Sequence, residues 1–322
     1  MNENAIEWLL QGDPWVEYRT RVDLLGQSKT DLQVTAARKA MLADPKIKSL
    51  ITELIDWPGN VLNSHKSAGQ SFHKLSFLAE LGLDISDPPV KKIVHKVMEH
   101  QSKQGPFQLP MNIPTHFGGS GKDEWAWALC DAPIIVSSLI QLGMQADSRV
   151  QAALEYLTTL VHENGWHCTV SPELGTFRGP GRKQDPCPYA TLVMLNVLAH
   201  VPELRESQPA KIGVETLLSL WESSREQHPY MFFMGTDFRK LKAPLFWYDI
   251  LHVLDVLRHF KCAREDERFQ QMLSLVEYKA DGDGRYTPES VWMAWKDWDF
   301  SQKKTPSRGL TFFVQRILKS AN

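Results

Sequence analysis

The sequence predicts an all-α protein built as an α/α toroid: about five to six helical hairpins, with an inner ring of apolar helices wrapped by an outer ring of amphipathic ones. Three observations support this. Apolar residues recur at three- and four-residue spacing along nearly all of the 322 residues, while strand-like alternation is scarce. Segments that are apolar almost all round alternate with segments that carry one charged face. Glycine- and proline-rich joints of similar make-up separate the two kinds.

In chain order, residues 1–65 hold DPWVEYRTRVDLLG and TDLQVTAARKAMLADPKIKSLITELI, a helical hairpin region expected to close the ring. Residues 66–322 hold the repeats, and the whole reads as one domain. The inner class comprises SFHKLSFLAELGL, CDAPIIVSSLIQLGM, CPYATLVMLNVLAHV, WYDILHVLDVLRHF and GLTFFVQRILKS. Aligning Leu81, Leu142, Leu198, Leu257 and Leu318 gives steps of 61, 56, 59 and 61 residues, the mark of an internal repeat. Between them lie PPVKKIVHKVMEHQ, SRVQAALEYLTTLVHE, AKIGVETLLSLWESS and EDERFQQMLSLVEYK, each with one charged face. Helices apolar all round must be buried and one-faced helices must lie outside, hence two rings. An open stack of hairpins uses shorter units, about 40–47 residues, and does not need joints as long as 105–130 and 164–187. These joints run from an outer helix to an inner one, so they are expected at one mouth of the toroid, where long loops tend to be functional.

Composition narrows the function. A formal charge of -2, with Lys and Arg scattered, gives no attraction to phosphate polymers, so nucleic acid is not an expected partner. No apolar stretch reaches the roughly 18 residues of a membrane span, and MNENAIEWLLQGDPW fits neither a signal nor a transit peptide. A cytoplasmic protein is expected. Cys130, Cys168, Cys187 and Cys262 are too few for a disulfide framework, so thiols or metal ligands are the expected uses.

Candidate chemistry gathers at the starts of inner helices. Asp131, Asp185 and Asp249 each open one, where an acid can cap the helix or act as a catalytic acid or a ligand. Asp185, with Pro186 at the first helical position, reads as a cap; paired with Cys187, it reads equally as a metal ligand. Asp249, His252 and Asp255 form a polar stripe in an apolar helix, which needs water, a metal or mutual hydrogen bonds. The glycine-interleaved GTFRGPGRKQD carries Arg178, Arg182 and Lys183, a candidate anion site. Trp292, Trp295 and Trp298 recur every three residues in SVWMAWKDWDF; Trp295 and Trp298 are candidate walls of an apolar cavity, or plugs of the ring's end.

The pattern resembles the terpenoid cyclase and protein prenyltransferase toroid superfamily, more closely a bacterial squalene cyclase-like branch. The resemblance rests on WLLQGDPWVEYRTRVDLLG, HFGGSGKDEWAWALCDAP, SPELGTFRGPGRKQDPCPYA and DGRYTPESVWMAWKDWDFSQKK, and covers most of the chain. It implies an apolar, isoprenoid-like ligand in a central cavity, with a diphosphate or similar anionic head group near Arg178, Arg182 and Lys183. The prenyltransferase pattern further implies zinc as cofactor, held by Asp185, Cys187 and His252, with Asp249 an alternative to His252. Asp131 and Asp249 are then the candidate acids. The protonating D-x-D-D motif is not completed by DGDG or DWDF, and Q-x3-G-x-W survives only as QSKQGPF, so squalene cyclisation is not expected. A carbohydrate-active toroid with paired carboxylates and a non-catalytic binding or scaffold protein stay open as alternatives, as does a partner subunit.

Overall fold

The run PYATLVMLNVLA offers water almost nothing, and the structure encloses it: eleven of the twelve residues of the helix Pro188–Ala199 are buried. The computed structural model describes residues 3–179 and 181–321. Among these residues there are fourteen α-helices and two short antiparallel ladders, so the chain is mostly helical. In order the helices are α1 (Glu3–Leu10), α2 (Pro14–Arg19), α3 (Leu32–Ala43), α4 (Pro45–Ile55), α5 (Ser71–Glu80), α6 (Pro88–Val97) and α7 (Ala132–Leu139). There follow α8 (Ser148–Thr159), α9 (Pro188–Ala199), α10 (Gln208–Glu222), α11 (Ile250–Leu257), α12 (Lys261–Arg264), α13 (Glu267–Glu277) and α14 (Arg308–Ala321). No described helix is long and apolar enough to cross a membrane.

The expected inner segments coincide with α5, α7, α9, α11 and α14, and the outer ones with α6, α8, α10 and α13. Burial follows the same division. All eight residues of α7 and seven of the eight in α11 are buried, whereas α8 and α13 bury four each, on one face. Caps explain where several helices begin. Asp147 accepts the Arg149 N–H at α8, Ser207 the Ala210 N–H at α10, and Asp266 the Arg268 N–H at α13.

Two compact units form. One comprises Met1–Leu50 with Met234–Asn322, the other Ile51–Phe233. In the second, α7 packs between α5 and α9, with α8 against α7 and α10 against α9. The long joints here are not structureless. β1 (Leu109–Asn112) pairs with β2 (Asp123–Ala126), and β3 (Val161–His162) pairs with β4 (Gly165–Trp166). In the first unit α1 and α2 pack on α14, and Arg308 Nε donates to the Trp8 carbonyl at 2.9 Å while Lys319 Nζ donates to that of Asp23 at 2.8 Å. The early helices and the last one are therefore tied together within that unit.

Gly213 sets the approach of α10 to α9. A β-carbon there would lie 2.9 Å from Leu195 Cδ2 and 3.0 Å from Trp166 Cζ3. Gly213→Ala gains helix propensity of about 1 kcal/mol but overpacks a filled core at a cost of about 1–3 kcal/mol. A net loss of up to about 2 kcal/mol in urea denaturation is expected; a higher midpoint would mean that the two helices do not pack this closely.

Candidate functional site

α7 starts at CDAP, and its opening acid is turned away from the helix. Asp131 is fully buried at the cap position, yet no side-chain cap bond forms. Its Oδ2 instead takes the Nε2–H of His65 at 2.8 Å, and Oδ1 accepts weakly from the Ala128 N–H at 3.4 Å. His65 comes from NSHKSAGQ, the polar stretch before α5, and is held there because buried His73 of α5 bonds the His65 carbonyl through Nε2 at 2.9 Å. Burial pushes the Asp131 carboxyl up from its ordinary range, and the His65 bond pulls it back.

His65 also walls a small pocket of about 60 Å³. Its remaining wall is mostly apolar, from Ala128, Leu129, Val170 and Ala190, with the thiols of Cys130 and Cys168 and a side formed by Phe177 and Gly179. Burial raises the Cys130 thiol well above its ordinary value, reinforced by Cys187 and Cys168. Burial also raises Cys168, opposed by the Gly179 N–H, which donates to its Sγ at 3.0 Å, and by the Arg178 cation. The pocket thiols are therefore protonated at neutral pH, and His65, bonded to Asp131, is the imidazole in the pocket wall.

Asp185 and Cys187, two of the expected zinc ligands, have different surroundings. Asp185 does not cap α9; Cys187 does, its Sγ accepting from the Ala190 N–H at 3.5 Å, with Pro188 in the first turn. The correction shifts the helix start by two residues, because Pro188 fits the first turn as readily as Pro186. Burial pushes the Cys187 thiol up to about 12. Asp185 lines a different feature, a polar cleft of about 620 Å³ along α10 that it shares with Glu163, Lys211 and Glu215. His252 belongs to the other unit, and its Nδ1–H is spent on the Trp247 carbonyl at 2.8 Å. Among the described residues no group of three or more His, Cys, Asp and Glu side chains is arranged to hold a metal ion.

The cations Arg178, Arg182 and Lys183 are exposed. Arg178 bonds the Gly181 carbonyl and sits close enough to Cys168 to act on it. Trp295 is buried in an aromatic cluster of the first unit, 5.2 Å from Phe246 and 5.5 Å from Trp298, while Trp298 lies 5.7 Å from Phe300 and 6.4 Å from Trp15. The polar stripe of α11 is met mostly by backbone groups and by arginines outside it. Asp249 caps the helix at the His252 N–H, 3.0 Å away, and Asp255 joins Arg258 and Arg316 at 2.8 and 3.0 Å. Asp249 Oδ2 is buried without a partner among the described residues.

His65 and Tyr230, which bear on the pocket, were not among the residues singled out in the sequence. The only signal for His65 is a polar, small-residue stretch abutting an apolar helix. No protein-family model matches the chain, and no curated protein matches it.

Burial pushes Asp249 up to about 7, against the opposing pull of the His252 N–H and Lys242. A carboxyl raised from 3.8 binds its proton more tightly folded than unfolded. Its contribution is therefore fully present below the unfolded value and is lost as pH rises through about 7. Asp249→Asn keeps the cap and cannot ionise, so its stability relative to the parent should climb by about 2–3 kcal/mol between pH 5 and pH 8. A pH-independent difference in urea midpoints would show that the carboxyl is not raised.

Proposed function

We propose that the chain is an α/α-toroid protein of the terpenoid cyclase and prenyltransferase type, which binds a small apolar, isoprenoid-like ligand with an anionic head group. The toroid part is supported by the alternation of enclosed helices (α5, α7, α9, α11) with one-faced helices (α6, α8, α10, α13). The ligand part rests on one observation: an apolar pocket at the start of α7 with His65, bonded to Asp131, in its wall and the Arg178 segment along its side. Apolar walls exclude water, so a proton or charge presented there acts with little screening. The thiols are neutral and add soft, apolar surface. A volume of about 60 Å³, the liquid share of about two water molecules, suits one terminal branched group rather than an extended chain.

In this reading Arg178 and its exposed neighbours Arg182 and Lys183 attract the head group, and His65, oriented by Asp131, exchanges protons with the ligand. Titration calorimetry with dimethylallyl diphosphate, farnesyl diphosphate and inorganic diphosphate tests it. Dimethylallyl diphosphate should bind saturably and at least tenfold more tightly than inorganic diphosphate, with Arg178→Ala losing roughly tenfold. Equal binding of inorganic diphosphate would leave only an anion site, and absence of all binding would favour a scaffold.

A further inference from the structure

We propose that Tyr230 determines how large a group the thiol pocket admits. Gly179, which walls the pocket, and Gly181 both lie against the Tyr230 ring: a β-carbon on Gly181 would meet Cδ1 and Cγ at 2.7 Å, and one on Gly179 would meet Cδ1 at 3.0 Å. The phenol then fastens the same segment, donating to the Arg182 carbonyl at 2.9 Å. On its other side the segment is fixed to the pocket itself by the Gly179 N–H on Cys168 Sγ. Tyr230 is buried, and it is the one described non-glycine residue with positive φ, at 53°. Bulky residues rarely adopt that region, and such a conformation persists only where the surroundings over-determine it.

The ring of Tyr230 thus backs Gly179 and Gly181 while its phenol holds the Arg182 carbonyl, which fixes the position of the wall and so the pocket's volume. Among the described residues the segment holds no helix or strand between the short helical turn Pro172–Leu174 and α9, and its ends are tied by the Thr176 N–H on the Gly118 carbonyl at 3.1 Å and the Cys187 N–H on the Trp166 carbonyl at 2.7 Å. Tyr230 is a positioning residue, acting through Gly179. The consequence deepens the ligand reading above and rests on it: small groups enter the native pocket, and larger ones need Tyr230 removed.

The four thiols provide a readout that needs no ligand. Cys130 and Cys168 line the pocket, Cys262 is exposed, and Cys187 is 3% exposed in the core. Iodoacetamide and the bulkier N-ethylmaleimide are applied to the full chain, and each cysteine is followed by peptide mass spectrometry. Tyr230→Phe, which removes only the phenol bond, should speed Cys168 labelling about fivefold, the effect of one ordinary hydrogen bond. Tyr230→Gly relieves the backbone conformation and removes the ring, and should raise the N-ethylmaleimide rate at Cys168 more than the iodoacetamide rate. Cys262 and Cys187 should stay at parental rates. Unchanged Cys168 rates in both variants, or Cys187 rising in step with Cys168, would overturn the assignment. If the assignment holds while isoprenoids fail to bind, only the ligand reading falls.

Discussion

A helix without a polar side must be enclosed, and that requirement shapes everything around α7 and α9. Their side chains fill the core of the second unit, so polar chemistry can reach this interior only where the helices begin. Asp131 and Cys187 stand at those beginnings. A carboxylate placed so deep costs several kcal/mol unless a partner meets it, and His65 is that partner. The pair therefore explains why NSHKSAGQ turns inward against the start of α7, with His73 holding it from α5.

The same logic separates residues that look alike in sequence. Asp131, Asp185 and Asp249 all precede apolar helices. Asp249 caps in the ordinary way through the His252 N–H. Asp131 leaves its cap position to bond a side chain distant in sequence. Asp185 sits two residues too early and lines the polar cleft along α10. Which of two Asp-Pro or Cys-Pro steps starts a helix is decided by packing at the level of a single turn, and periodicity does not resolve that.

Helix identity was legible because it is written in burial: the inner and outer phrases, spaced by about 60 residues, coincide with the structural helices. The two short β ladders were not, since β3 and β4 are two residues each and present no alternating run. The tryptophan segment was legible as apolar surface, yet its partners Trp15 and Phe246 come from distant parts of the chain. Asp185 and Cys187, paired as zinc ligands by the resemblance, differ for a similar reason: one lines a cleft and the other packs in the core. His65 and Tyr230 carry no local pattern at all; their side chains find their partners, Asp131 and the Arg182 carbonyl, more than forty positions away.

The most direct measurement of the central claim is a double-mutant cycle on the buried pair. Stabilities of the parent, His65→Ala, Asp131→Asn and the double variant are compared by urea denaturation. A bonded pair in the apolar wall should give a coupling of about 1–3 kcal/mol. Additivity within about 0.5 kcal/mol would mean that His65 and Asp131 do not meet, and the pocket would lose the group on which its chemistry depends.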